Sequence, residues 1–490
     1  MSNSALKQKA VSATFWSGID TFARQGLQFI VSLILARLLS PQDYGTIGLL
    51  AIFVGLAGVF VDSGFSTALI QREHISDIEL SSVFYFNLGV SLVAAALLCV
   101  FAPWIAEFYS MPILRAVTWV LAANLVIGSL GSIQQVLLTK ALDFRRQCMI
   151  SLVAQLVSGA VAILLAWHHF AVWSLCIQTL LATTIGTLLL WGSSSWRPGR
   201  RFSIAAIQSL FRFGSFLFLS ALLDTLFGRL NTLIIGKFYS AKDLGYYSRA
   251  DSARGLPASL ISTIISRVAF PLFSAAKENV VLLRAGLRKA ITLAMMINIP
   301  LSIGITVTAR PLVLVLFGEP WLPCVPYLQV LSIAVVLWPL QVLNLNILSA
   351  QGHSNLFFRL ELIKKAIGIL VISISAPFGI LAMAWGSVFF GIFSFGINAY
   401  YSGRFVGYGA FRQIIDLLPY IGATLVMVLA VMAANQLPLT SPFLQLLTQV
   451  FVGVVAYVSI CAGFRLAGFF EAWNLILSLF AKRHSPVTGE

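Results

Sequence analysis

Three arginines and three aspartates stand inside long apolar runs of this sequence, where an ionisable side chain costs several kcal/mol unless it is paired or hydrated. Ser17, Asp20, Arg24 and Gln28 are spaced three, four and four apart and share one helical face, opposite Phe15, Trp16, Ile19, Phe22 and Ile30. Asp20 precedes Arg24 by one turn, the favourable order for a local ion pair. Such a pair either glues its helix to a neighbour or belongs to a polar stripe facing a hydrated cavity, and the stripe is the preferred reading. Ser220, Asp224, Gly228 and Asn231 repeat the theme. Arg229 lies about 140° around the helix from Asp224 and so looks for another partner, an anionic ligand being one candidate. Arg249, Asp251 and Arg254 read as headgroup anchors, and Arg267, between Ile265 and Val268, either lines a cavity or snorkels to the inner leaflet. Asp62, in V-F-V-D-S-G-F, has no base within four residues. It is either an ion-coupling carboxylate for a proton or sodium ion or the partner of a base such as Arg24.

Those charges must be placed by membrane helices. Of 490 residues 59% are hydrophobic and 10% charged, with a mean hydropathy of +0.92, whereas a soluble surface asks for about 25% charge. Apolar runs predict fourteen spans near 11–36, 43–70, 80–104, 113–138, 147–167, 170–192, 213–236, 250–274, 288–309, 323–349, 357–376, 379–401, 412–434 and 443–464. The runs at 250–274 and 357–376 begin with charge and are the weakest. With the N-terminus inside, 22 Lys and Arg fall on inner segments and 7 on outer ones, so both termini are expected in the cytoplasm. The formal +15 is then a matter of cytoplasmic loops and an anion-binding cavity, not of nucleic acid. Lys7 and Lys9 lead straight into the first span with no cleavage site, so no cleavable signal peptide is expected.

An internal repeat organises the spans. Residues 36–45 (A-R-L-L-S-P-Q-D-Y-G) and 236–245 (G-K-F-Y-S-A-K-D-L-G) share Ser40/Ser240, Asp43/Asp243 and Gly45/Gly245, with Arg37 and Lys237 both basic. Each segment closes the first helix of a six-helix block, which predicts two parallel repeats with a site between them. The expected fold is therefore an all-α polytopic membrane protein of 14 transmembrane helices. It comprises an N-terminal lobe at 1–196, a C-terminal lobe at 197–408, two appended spans at 409–466 and a cytoplasmic tail at 467–490, with a short interfacial helix near 471–480. Soluble chemistry finds no footing. There is no H-E-x-x-H, Walker or G-x-S-x-G motif, His168 and His169 are neighbours in an outer turn, and the five cysteines have no CxxC spacing. No cofactor, metal or catalytic residue is expected, and the chain is expected not to be an enzyme.

The stretch Ala36 to Gly45 resembles the start of the Wzx-type polysaccharide exporters of the multidrug/oligosaccharidyl-lipid/polysaccharide superfamily. V-D-S-G-F-S-T-A-L-I-Q-R (Val61 to Arg72), V-F-Y-F-N (Val83 to Asn87) and L-F-G-E-P-W-L-P (Leu316 to Pro323) are similar to the colanic acid exporter subgroup. The resemblance implies a two-lobed flippase with a V-shaped cavity between spans 1–6 and 7–12. It implies transfer of undecaprenyl-diphosphate-linked oligosaccharide across the bacterial inner membrane for exopolysaccharide biosynthesis. Polymerase or co-polymerase proteins are implied as partners, and Arg24 matches by position the cavity arginine of related lipid flippases. Arg229 matches no motif and rests on the physical argument alone. A cation-coupled multidrug antiporter of the same superfamily is the nearest rival; it usually wants an acidic cavity, and the motifs favour the exporter.

Overall fold

The computed structural model describes residues 23–471 apart from 73, 277 and 467, without the side chains of 212, 213, 216, 256–268, 270, 271 and 354. Among these residues there are helices and no strand. The first is α1, at 23–38. It is followed by α2 (Pro41–Asp62), α3 (Phe65–Gln71), α4 (Asp77–Phe108), α5 (Ile113–Lys140), α6 (Phe144–Trp167), α7 (Val172–Ser193), α8 (Ile204–Gly228), α9 (Leu230–Phe238) and α10 (Ala241–Ala275). Then come α11 (Val280–Val307), α12 (Ala309–Leu316), α13 (Val325–Ala334), α14 (Trp338–Ala350), α15 (Ser354–Ser375), α16 (Ile380–Val406), α17 (Ala410–Ala434) and α18 (Pro442–Gly463). Eleven segments among the described residues are long and apolar enough to cross a membrane. The two spans that begin with charge are helical but not among the eleven; α15, for instance, carries Arg359, Glu361, Lys364 and Lys365. The expected tail helix lies outside the described residues.

The helices divide into two compact units, Met1–Ser248 and Arg249–Glu490. In the first, the repeated Ser-x-x-Asp has a plain local cause. Ser40 caps α2: the Asp43 amide donates to Ser40 Oγ at 3.4 Å, and the Ser40 amide donates to Asp43 Oδ2 at 2.9 Å. Ser240 and Asp243 make the same reciprocal pair at the start of α10, at 3.1 and 3.4 Å. Each box satisfies amides that the first helical turn leaves without a partner.

Three of the expected spans are broken. The second ends at Asp62 because Ser63 (φ 47°) and Gly64 (φ 74°) are both left-handed, and α3 starts afresh after them. The seventh bends at Arg229, between α8 and α9. The tenth stops at Ala334 and resumes at Trp338. The carbonyls freed there are partly satisfied by Asn298, fully buried on α11, whose Nδ2 donates to Val335 O at 3.3 Å and to Val336 O at 2.8 Å. In the second unit a buried amide pair, Asn344 with Gln413 at 2.9 and 3.0 Å, ties α14 to α17.

Candidate functional site

The predicted residues of the first unit are organised by one seam. Helix α2 runs antiparallel to α8–α9 and alongside the start of α10 in the same direction, with small residues at each crossing. A Cβ placed on Gly45 would lie 1.6 Å from Ala241 O, and one on Gly245 would lie 1.9 Å from Pro41 O. The two halves of the sequence repeat thus touch each other reciprocally, backbone to backbone, and glycine is the one residue type that allows the approach. Farther along, a Cβ on Gly55 would stand 3.2 Å from Thr225 Cγ2, and Phe60 meets Phe218 edge-on at 5.2 Å. At the far end a Cβ on Gly64 would stand 2.6 Å from Gly214 O. Small residues at both ends and in the middle let membrane helices pack closely where burial of apolar surface supplies no drive.

Residue counts from the Ser40/Ser240 level, at about 1.5 Å per residue, give the charges a graded depth. Arg229 lies about 14 Å along α9–α8, Arg24 and Asp224 about 21 Å, and Asp62 about 31 Å along α2. Arg24, Gln28, Asp62, Asp224 and Arg229 are all exposed. Arg24 and Gln28 share a face of α1, one turn apart. Among the described residues neither Arg24 nor Asp62 takes an ion pair; Asp62 instead accepts a hydrogen bond from Ser66 Oγ across the Ser63–Gly64 break. Asn231 donates from Nδ2 to Tyr247 Oη at 3.3 Å and fastens α9 to α10. Among the described residues no contact draws Arg24 and Arg229 together. Asp20 and the Arg267 side chain lie outside the described residues.

Some polar groups were not singled out by the sequence, or land elsewhere than it suggests. Arg249 does not reach out as a headgroup anchor: it is 8% exposed, with its guanidinium 5.1 Å from the Phe317 ring centroid and 5.3 Å from that of Trp321. The aromatic pair of the L-F-G-E-P-W-L-P stretch therefore holds a buried cation. Lys364 is buried too and pairs with Glu361 one turn before it, an E-x-x-K spacing that the sequence does contain. Near the α16–α17 connection, Asp416 accepts from Arg288 at 2.6 Å and from the Tyr408 hydroxyl at 2.7 Å. Burial, then that hydrogen bond, pushes the Tyr408 hydroxyl above its ordinary range and keeps it a donor. An apolar groove of about 460 Å³ lies between α11, α12, α17 and α18, lined by Pro300, Gly304, Met427, Gly453 and Tyr457 among others. Among the described residues no cluster of His, Cys, Asp and Glu is arranged to hold a metal.

The geometry thus offers exposed guanidinium groups on helices packed through glycine. The family described as "Polysaccharide biosynthesis protein" matches residues 34–326. The chain is 27% identical to the lipopolysaccharide biosynthesis protein WzxC of Escherichia coli, over 76% of each chain. It is also 27% identical to the teichuronic acid biosynthesis protein TuaB of Bacillus subtilis, over 72% of this chain and 74% of that one. In fold it is similar to the inward closed conformation of the lipid II flippase MurJ, with a TM-score of 0.77 at 15% identity, covering 92% of this chain and 98% of the other.

Proposed function

This chain belongs to the polysaccharide biosynthesis protein family, and we propose that it is a flippase for undecaprenyl-diphosphate-linked oligosaccharide. The lipid-linked repeat unit passes from the inner to the outer leaflet of the bacterial cytoplasmic membrane by alternating access, driven by an ion gradient, to feed exopolysaccharide assembly. Fourteen spans, with both termini cytoplasmic, and two six-helix lobes at 1–196 and 197–408 are part of this reading. The eleven apolar segments, the two charged helices α10 and α15, and α1 are consistent with it. The protein carries no catalytic residue or cofactor of its own; polymerase and co-polymerase proteins take its product.

One observation carries the proposal: Arg24 and Arg229 are exposed at depths where a membrane helix ordinarily keeps no charge. A diphosphate is held by forked, charge-assisted hydrogen bonds to guanidinium groups, while Gln28 and Asp224 suit a hydrated, sugar-bearing headgroup. The isoprenoid tail stays outside the headgroup cavity throughout, so only the headgroup has to be shielded. Asp62, exposed at a helix break, is the residue we assign to the coupling ion.

The test is headgroup translocation of a fluorescent undecaprenyl-diphosphate oligosaccharide in proteoliposomes, under proton and sodium gradients separately. Wild-type transport, loss in Arg24→Ala and partial retention in Arg24→Lys are expected, with membrane insertion unchanged. Undiminished transport by Arg24→Ala would move the anion site to Arg229 and Arg267. No wild-type transport under either gradient would overturn the flippase reading.

A further inference from the structure

A groove of about 690 Å³ lies in the first unit between α2, α4 and α9. Its α4 wall is Val90, Val93, Leu97, Phe101, Trp104 and Phe108, spaced three or four apart and so on one face. That stripe is about 27 Å long at 1.5 Å per residue. A bilayer's hydrocarbon core is about 30 Å thick, so the stripe is close to twice one leaflet's share. The lining is apolar; the charge stands at one end. Leu233 of α9 closes the groove against Phe108, and one turn beyond it Lys237 places Nζ 4.0 Å from the Phe108 ring centroid. The same ammonium donates to Phe108 O at 2.8 Å, which takes one of its three donors. A cation at the end of α4 suits that helix's free carbonyls, which accounts for the lysine but not for the long groove beneath it. Lys237 is also the repeat partner of Arg37, a position that the substrate site described above does not use.

We propose that this groove holds the isoprenoid chain of a polyprenyl phosphate or diphosphate lipid, with its phosphoryl group on Lys237 in the leaflet at the Ser40/Ser240 level. Length decides the occupant. An ordinary phospholipid chain fills one leaflet, so two from opposite leaflets would be needed to cover the stripe, whereas one polyprenyl chain covers all of it. The ammonium of Lys237 at the mouth suits a phosphoryl group. The inference deepens the flippase reading, on which it rests, by giving the lipid a berth on the first unit distinct from the arginine site.

Native mass spectrometry of the full-length protein with undecaprenyl phosphate, in the presence of excess phosphatidylglycerol, tests it. Wild type is expected to retain one polyprenyl lipid. Lys237→Ala should reduce retention about fivefold, the worth of one basic residue at an anionic surface, and Lys237→Arg should keep it. Leu97 is 52% exposed, so Leu97→Trp blocks the groove without entering the core and should reduce retention at least tenfold. Displacement by equal amounts of phosphatidylglycerol would overturn the assignment of occupant. Wild-type retention by Leu97→Trp would place the chain elsewhere, with the groove between α11, α17 and α18 first in line, and overturn the proposal. Binding is read without transport: retention that follows this pattern in a protein that fails to translocate would fault the flippase reading and leave the groove standing.

Discussion

Replacing Gly45 by alanine probes the seam at its tightest point. The new Cβ would lie 1.6 Å from Ala241 O, and real Cβ contacts do not fall below 3.0 Å, so the starts of α2 and α10 have to part by about 1.4 Å. The obstacle is a backbone carbonyl inside a helix, not the end of a flexible side chain, and it cannot swing aside. Overpacking of this kind costs about 1–3 kcal/mol, which is about 5- to 150-fold against the sealed seam. The assay is disulfide trapping across the same contact. A Cβ on Gly48 would stand 3.6 Å from Ser248 Oγ, close to disulfide range, so Gly48→Cys with Ser248→Cys should cross-link readily. Adding Gly45→Ala should slow the cross-link at least fivefold and lower transport in proteoliposomes. Gly58→Ala, on the same helix with nothing within 4 Å of its Cβ, is the control and should change neither. Equal cross-linking rates in the Gly45→Ala and Gly58→Ala backgrounds would refute the reasoning, because the glycine would then not be holding the helices together.

Other expectations follow from single contacts. Trp321→Ala removes a fully buried ring and takes one aromatic face from Arg249; a loss of about 3–5 kcal/mol is expected, read as a lower temperature of thermal unfolding in detergent. Gln413→Ala takes the Nε2 donor from Oδ1 of the fully buried Asn344, whose Nδ2 keeps Leu340 O, and should cost about 1–3 kcal/mol on the same measurement. Asp62→Asn keeps the size of the side chain and removes its charge. If Asp62 binds the coupling ion, translocation in proteoliposomes should lose its response to the driving gradient while ungated exchange of the headgroup persists; an unaltered gradient response would remove Asp62 from the mechanism.

The repeat at 36–45 and 236–245 was legible because capping is local: Ser and Asp three apart are enough to predict a helix start. That the two copies touch was not, since nothing in either segment names its partner; only the glycines at matching places hint at it. Helix breaks were hidden for a different reason. Hydropathy reads Pro41–Gln71 as one apolar run, and the left-handed pair Ser63–Gly64 interrupts the backbone without interrupting the apolar pattern. The same holds at Arg229 and after Ala334. Arg249 was misplaced because its aromatic partners come from the far-off 317–321 stretch, and a sequence read in windows sees the cation without its cage. The depth of Arg24, Asp224 and Arg229 could be read by counting residues, but which of them share a surface could not.

The seam also constrains how such a protein could move. Helix α2 meets α8–α10 through glycine at both ends, Gly45 with Gly245 at one and Gly64 with Gly214 at the other, and at Gly55 with Thr225 between them. A contact this close is made by backbone atoms and has no side-chain slack, so a tilt of α8–α9 against α2 cannot be absorbed gradually; it has to release one end. Release at the Gly45 end begins nearer Arg229, which lies about 14 Å from that level, whereas release at the Gly64 end begins beside Asp62. Asp62 stands two residues before Gly64 and accepts from Ser66 on its far side, so it straddles the turn that forms the second contact. An ion that neutralises Asp62 acts on that turn directly. In the proposed cycle the coupling ion therefore needs no long path through the protein: its carboxylate sits at the end of the seam that it has to release, and the diphosphate-binding arginines lie between the two ends.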